Sequence, residues 1–227
     1  KIMKSKISIV VPVFNEENCL PVLLKQLYPF SKNNEIVFID DGSDDNSYKI
    51  LQKIDYIKLV KLSKNFGKGV AIQSGIKKSK FSKIIIYDAD LELDTNNIIK
   101  LMRLNKKLGV NSLLGFRLKE IDTLNFSYEW GNFIFTLFFN LINMTSYRDV
   151  LCCAKSFYKD EVPLNKLKSK GFDIDIEIIC LLTKNNKRKQ IPQVSLKYKR
   201  RSLQEGKKLR IIDGWVILKR IILNFYS

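Results

Sequence analysis

Asp88, Asp90 and Glu92 follow directly on the apolar run Ile84-Ile85-Ile86-Tyr87, each acid two residues beyond the last. The stretch from Lys83 to Tyr87 has the length and residue types of a buried strand. In an open α/β sheet, ligands sit beyond the carboxyl ends of the strands, which is where Asp88 and Asp90 would emerge. Mg²⁺ and Mn²⁺ prefer carboxylate oxygens and often bind substrate phosphates as well. An Asp-x-Asp at that place is a metal clamp for a diphosphate. The same tripeptide in isolation is more often a solvated turn, so the elements around it decide between the two.

Those elements repeat the pattern. Lys6 to Val13 reads as a buried strand interrupted by Pro12 and followed by Phe14-Asn15-Glu16-Glu17. Asn15 suits a helix N-cap, and Glu16 and Glu17 suit the first turn of a helix. Leu20, Leu23, Leu24 and Leu27 then fall at helical spacing. Glu35 to Asp40 is a second strand ending in acid, Asp40-Asp41-Gly42-Ser43-Asp44-Asp45. Gly42 permits a tight turn there, and Ser43 or Asp44 can cap a helix running to about Lys53. Tyr56 to Leu62 is a third strand. The loop after it ends in Gly67-Lys68-Gly69, whose helix start could hold an anion without being a Walker motif. Asn96 to Lys107 predicts an amphipathic helix and Asn111 to Gly115 a fifth strand. Strand and helix alternate four times in about 110 residues, which predicts a mostly parallel sheet with helices on both faces.

The second half changes character. Residues 125–144 are rich in aromatics and too polar to span a bilayer. They predict a helix that is either buried or laid at a membrane interface, with Tyr128 and Trp130 at headgroup depth. Asp149 to Tyr158 reads as strand or turn. Phe172 to Leu182 begins like a strand, but its length favours a helix, and Glu177 within it calls for a basic partner. Lys189 to Tyr198 predicts a last strand and Trp215 to Phe225 a basic, apolar helix.

Composition narrows the class. A chain of 227 residues with 45% hydrophobic content fits one globular domain with a substantial core. Mean hydropathy of −0.11 argues against a polytopic membrane protein. No apolar run is long enough to span a bilayer, and the first residues lack a signal peptide's apolar region, so residence on the cytosolic side is the expectation. Histidine is absent, and Cys19, Cys152, Cys153 and Cys180 form no C-x-x-C pair, which excludes the usual zinc sites and suggests reduced, mostly buried thiols. The net charge is +17, and residues 187–210 hold ten basic side chains against Glu205 alone. Such a segment suits a phosphorylated substrate, an anionic membrane surface or nucleic acid. RNA-binding and zinc-finger signatures are missing and the acids gather at strand ends, so nucleic acid ranks last.

Taken together, Pro12-Val13-Phe14-Asn15-Glu16, Asp40-Asp41-Gly42-Ser43 and Asp88-Ala89-Asp90 resemble the family 2 glycosyltransferases, whose fold is called GT-A. That resemblance covers about residues 6 to 117. The remainder looks like the branch that includes dolichol-phosphate mannose synthase and bacterial polyprenyl-phosphate glycosyltransferases. Its carriers are Asn65-Phe66-Gly67-Lys68-Gly69, Gly115-Phe116-Arg117, Asp149-Val150 with Cys153 and Lys155, Glu177, Tyr198-x-x-Arg201 and Glu205-Gly206-Lys207-Lys208. The C-terminal transmembrane helices of many members have no counterpart in this sequence. Contact with a lipid is therefore expected to be peripheral or through a membrane-protein partner.

The resemblance implies a single α/β GT-A domain, its nucleotide-sugar half at 6–117 and its acceptor half at 118–227. Pro12, Phe14, Glu16, Asp40, Asp41, Lys68, Asp88 and Ala89 would bind the nucleotide, and Asp88, Asp90 and Glu92 would hold Mg²⁺ or Mn²⁺. Asp90, Arg117 and Asp149 take the catalytic roles. A hydroxyl acceptor needs a general base, for which Asp149 is the candidate, with a helix or turn cap as its equal alternative. A polyprenyl phosphate is already ionised and needs only orientation and charge balance. Arg117, Arg201, Lys207 and Lys208 would supply these. The expected reaction is metal-dependent, inverting transfer of a hexose from a UDP- or GDP-sugar to polyprenyl phosphate. The alternative acceptor is a saccharide hydroxyl in surface polysaccharide assembly.

Overall fold

A computed structural model of the chain describes residues 6–118, 126–186, 190–201 and 211–226. Seven strands form one sheet: β1 (Ile7–Val13), β2 (Glu35–Asp40), β3 (Lys58–Lys61), β4 (Lys83–Ile86), β5 (Ser112–Leu118), β6 (Lys155–Tyr158) and β7 (Gln193–Lys197). Their order is β3-β2-β1-β4-β6-β5-β7. All pairings are parallel except those of β6, which runs antiparallel to both β4 and β5. The expected mostly parallel α/β sheet is therefore present, with one reversed strand near its middle.

Helices cover both faces because the central strands are apolar on both. Ile9, Val11, Phe38 and Ile85 pack with α1 (Leu20–Ser31), α2 (Ser47–Leu51) and α4 (Asn97–Leu101) on one side. Val10, Val37, Ile39, Ile84 and Ile86 pack with α3 (Lys68–Lys78), α5 (Phe126–Asn143), α6 (Ile174–Asn185) and α7 (Ile211–Tyr226) on the other. Strands buried on both faces read as unbroken apolar runs, which is how β1 and β4 appear in the sequence. Strand order reverses beside β1: the chain passes from β1 to β2 and β3, then returns to lay β4 on the opposite edge of β1. That switch point opens a crevice at the strands' carboxyl ends. It also brings Asp40, the residues after Val13 and Asp88 to neighbouring strand ends.

Several local expectations are corrected. Asn15 does not cap α1. It takes a left-handed backbone (φ 52°), and Cys19 precedes the helix instead. Glu16 and Glu17 consequently lie in the turn before the helix. Neither Ser43 nor Asp44 caps α2, which Asn46 precedes and which ends at Leu51 rather than Lys53. These polar residues instead lock two loops together. Ser43 Oγ accepts from Asn15 N (3.0 Å), Asn15 Oδ1 from Asp44 N (2.8 Å), Asp45 Oδ2 from Glu17 N (3.0 Å) and Glu17 Oε2 from Asn46 N (3.0 Å). The helix expected over Asn96–Lys107 stops at Leu101, because Asn105 starts a separate 3₁₀ turn by accepting from Lys107 N. The ambiguous 172–182 stretch is helical, as its length favoured.

Gly42 shows how tightly the loops close. Its φ is +69°, and a Cβ there would lie 2.3 Å from the backbone carbon of Lys64. Gly42→Ala is expected to lower stability by about 1–3 kcal/mol through backbone strain and that clash. A thermal or urea melt of the variant checks this, and an unchanged midpoint would refute it.

Candidate active site

At the crevice, three acids arrive by short routes from buried strands. Asp40 is the last residue of β2 and is fully buried, and neither of its carboxylate oxygens has a hydrogen-bond partner. A buried carboxylate without donors is costly, so this one stands out among the acids at the strand ends. Asp88 follows β4. Its Oδ2 accepts from Lys68 Nζ at 2.8 Å, while its Oδ1 is buried without a partner. Asp90 accepts from Glu92 N through Oδ1 (3.0 Å). Burial, then the neighbouring charges of Asp88 and Glu92, push its carboxyl up to about 7. Two crowded carboxylates, one of them reluctant to ionise, form a site whose repulsion a divalent cation would relieve.

Glu92 does not join them. Leu91 sits in the left-handed region (φ 60°), rare for so bulky a side chain, and the chain turns sharply between Asp90 and Glu92. Glu92 Oε1 accepts from the backbone N of Arg201 (3.1 Å), and its carboxylate hydrogen-bonds Tyr198, whose phenol burial and this acid push up to about 12. Among the described residues, no three His, Cys, Asp or Glu side chains converge on a metal position. Of the expected Asp88, Asp90 and Glu92, the Glu92 carboxylate is thus engaged elsewhere, and Asp88 and Asp90 remain together at the turn. Two carboxylates plus substrate phosphates are an ordinary Mg²⁺ or Mn²⁺ environment, so the residues present fit such an ion.

Arg201 closes the crevice from the far end of the chain. Its Nη1 donates to Glu16 Oε2 (2.9 Å) and to the carbonyl of Asp90 (3.4 Å). Glu16 is itself buried beside the locked loops. Pro12 and Phe14 are half-buried at the end of β1, and Ala89 is buried between the two acids. A cavity of about 620 Å³ lies on the other side of the Asp-x-Asp turn, lined by Gln26, Leu91, Glu92, Asp94, Lys197 and Tyr198 among others. Neither Asp88 nor Asp90 lines it.

Three expected roles change. Asp41 does not face the crevice. Its carboxylate accepts from Phe66 N and Gly67 N, both at 2.9 Å, so the anion expected at the start of α3 is the protein's own. Lys68 does not present an open cation, because its ammonium is bound to Asp88 and, at 3.1 Å, to Asp175. Burial opposes that charge, but the two carboxylates outweigh it and hold the lysine well above its ordinary pKa. Asp149 is no general base. Arg117 donates to both its oxygens, Nε to Oδ2 at 2.6 Å and Nη2 to Oδ1 at 2.9 Å, and Asn132 adds a third bond at 3.1 Å. Burial raises the Asp149 carboxyl, yet Arg117 overrides it and holds the group below the usual carboxylate range. Arg117 is correspondingly committed, with its guanidinium also 5.4 Å from the centre of the Tyr198 ring.

Glu177 has the basic partner its burial called for. Arg220 Nη1 donates to it at 3.1 Å, and Lys168 N and Ser169 N add further bonds. Lys155 was named in the sequence without its partner, and Asp175 and Asp173 were missed there. Their one signal was the run Phe172-Asp-Ile-Asp-Ile-Glu, where acids recur inside an apolar helix. Cys152 and Cys180 are buried, whereas Cys19 and Cys153 are half-buried, and none of the four forms a disulfide. Lys207 and Lys208 lie outside the described residues, as do the side chains of Tyr128 and Trp130.

The family model for glycosyl transferase family 2 matches residues 8–160. The chain belongs to that family. Among curated relatives, an undecaprenyl-phosphate 4-deoxy-4-formamido-L-arabinose transferase of Proteus mirabilis is 34% identical over 107 residues, 43% of this chain and 33% of that protein. A human dolichyl-phosphate beta-glucosyltransferase is 35% identical over 100 residues, 37% of this chain and 31% of its own. The matches thus span about a third of those relatives' length. Among solved structures, glucosyl-3-phosphoglycerate synthase from Mycobacterium tuberculosis, bound to Mn²⁺, UDP and its product, superposes with a TM-score of 0.74. It is 14% identical, with 98% of this chain and 80% of that one covered, and establishes the GT-A fold.

Removing one member of a buried ion pair strands the other. Asp149→Ala is expected to destabilise the protein by roughly 3–5 kcal/mol near neutral pH. Because the folded pKa of Asp149 is depressed, its contribution is present above the unfolded value of about 4 and is lost as pH falls through the lower folded value. Urea melts at several pH values should therefore show the gap between wild type and variant narrowing below about pH 4. A gap that stays constant into acid would refute the assignment.

Proposed function

We propose that this chain is a metal-dependent, inverting glycosyltransferase that moves a hexose from a UDP- or GDP-sugar to a polyprenyl phosphate. The observation that carries the donor half is the set of buried, partnerless oxygens on Asp40 and Asp88, at the ends of the two strands that flank β1. A nucleoside offers the N–H and O–H donors that such oxygens lack. Asp40, with Pro12, Phe14 and Glu16, takes the base and ribose. Asp90, with Asp88, holds Mg²⁺ or Mn²⁺, which when bound supplies charge neutralisation at the departing diphosphate.

The acceptor half rests on chemistry and on the names of the relatives. The one expected general base, Asp149, is tied to Arg117, and the chain has no histidine. A phosphate monoester needs no base. Its oxygen gives an electron pair to form a new bond to the anomeric carbon, the bond from that carbon to the diphosphate oxygen breaks, and the nucleoside diphosphate leaves with the pair of the broken bond. The configuration inverts in a single displacement. Arg201, beside Glu16 and Asp90, balances phosphate charge, and the proposal extends this role to Lys207 and Lys208. Arg117, held by Asp149, adds fixed positive charge. Both curated relatives described above are named for transfer to a polyprenyl phosphate.

Among the described residues no helix is long and apolar enough to cross a membrane. The proposal brings the enzyme to the cytosolic face peripherally. On α5, Phe133, Ile134, Leu137 and Leu141 are exposed, with Met144 just beyond its end, and on α7 Trp215, Val216, Ile222 and Leu223 are exposed. Each set falls on one stripe at helical spacing. Exposed Lys219 shares the α7 stripe, and exposed Lys166, Lys168 and Lys170 alternate with buried Leu167 and Ser169 nearby. Apolar stripes bordered by lysines suit an anionic lipid surface.

Incubation with Mn²⁺, radiolabelled UDP-glucose or GDP-mannose and a short polyprenyl phosphate should move label into the organic phase. Asp90→Ala is expected to reduce that transfer by about 100-fold or more. Donor binding without lipid labelling would favour a saccharide acceptor, and no donor binding would defeat the enzyme reading. Sedimentation with vesicles tests the surface: binding to anionic vesicles should exceed binding to neutral ones, fall with salt, and weaken in Trp215→Asp. Equal recovery with both vesicle types would remove the membrane assignment.

A further inference from the structure

Behind Asp88 lies a row of alternating charge that the donor reading leaves unexplained. Lys68 Nζ, on the first residue of α3, bridges Asp88 Oδ2 at 2.8 Å and Asp175 Oδ2 at 3.1 Å. Asp175, from the first turn of α6, accepts through its other oxygen from Lys155 Nζ at 2.9 Å. Lys155 belongs to β6 and also donates to the carbonyl of Cys152. The Lys155 side chain is 1% exposed, Asp175 6%, Lys68 12% and Asp88 24%, so the row runs from the core to the crevice. Two lysines and two aspartates make it neutral overall. Each inner member is gripped from both sides.

We propose that Lys68 is a positioning residue: it holds Asp88 by Oδ2 and so fixes how that carboxylate is oriented toward the donor, while Asp175 and Lys155 hold Lys68 in place. This deepens the donor reading above and rests on it. Without Lys68, Asp88 would be free to rotate and would add an uncompensated charge beside Asp90. Asp175 touches no part of the crevice acids directly, yet its influence would reach them through the lysine. Buried partners of this kind, behind the groups that touch a ligand, set orientation and leave the chemistry to the groups in front. The fold supports the arrangement independently. Gly67 and Gly69 flank Lys68, and a Cβ on either would lie 2.4 Å or less from the carbonyl oxygen of Lys170 or Ser169. The 169–171 segment leading into α6 is thereby pressed against the start of α3, which brings Asp175 to Lys68.

The test is a double-mutant cycle read by calorimetric titration of UDP or GDP in the presence of Mn²⁺, with no turnover required. Lys68→Met and Asp175→Asn should each weaken nucleotide binding by about 10–100-fold. In an Asp88→Asn background the same changes should have almost no further effect, because the carboxylate they position has gone. Lys68→Arg, which keeps the charge, should recover part of the affinity. Thermal melts on each variant separate misfolding from misplacement. If Lys68→Met does not fold, the nearly isosteric Asp175→Asn carries the same comparison. Wild-type affinity in a folded variant, or losses that simply add to that of Asp88→Asn, would overturn the proposal while leaving the donor reading intact. Wild-type protein that binds neither nucleotide overturns both.

Discussion

Negative charge held at the end of an apolar sheet is the constraint on which this structure turns. Asp40, Asp88 and Asp90 are carried to one crevice by strands whose other side chains are almost entirely hydrophobic and buried. Burial makes each charge more expensive and each unmade hydrogen bond more consequential. The protein answers each carboxylate differently. Asp88 receives Lys68 on one oxygen, Asp90 receives one backbone N–H, and Asp40 receives nothing. The gradient runs from a compensated acid to an uncompensated one. The uncompensated positions are where ligand donors and a cation would lower the energy most.

The loops exist to keep that gradient in place. The segment after β1 and the segment after β2 are tied by hydrogen bonds through Asn15, Ser43, Glu17 and Asp45. Neither loop can then move without the other. Asp41 anchors the start of α3 through two backbone N–H groups, which fixes the entry point of Lys68. From the other half of the chain, Arg201 reaches Glu16 and the Asp90 carbonyl, and Glu92 fastens the segment after β7. A β-bridge between Leu93 and Tyr198 reinforces that fastening.

Much of the fold was legible because its signals are local. β-branched runs ending in acid marked β1, β2 and β4, and a sheet buried on both faces needs no polar alternation to be recognised. The crevice followed from topology alone, since parallel strands around a switch point send their carboxyl ends to one edge. What stayed hidden was pairing. Asp41 and Asp40 are adjacent in sequence and look equivalent, yet one accepts from the amides of a neighbouring loop and the other is buried without a hydrogen-bond partner. Lys68 beside two glycines resembles an anion holder until Asp175, 107 residues away, is seen to claim it. Asp149 resembles a base until Arg117 is found on both its oxygens. Partners remote in sequence leave no mark in local spacing, and the left-handed turn at Leu91 that diverts Glu92 carries no glycine to announce it.

The buried ion pairs are not explained by stability. Replacing such a pair by well-packed apolar groups is often neutral or favourable, because desolvation offsets the Coulomb attraction. The apolar core on both faces of the sheet is already extensive, yet Lys68, Lys155, Arg117 and Arg220 each hold buried acids around the site. An apolar replacement would hold the helices together as well, but it could not dictate how a neighbouring carboxylate is oriented. Directional bonds to charged groups can do so, since each donor fixes one lone pair and leaves the other. Hydrophobic burial therefore holds α3, α6 and β6 against one another. The charges threaded between them determine how the acids at the edge are presented.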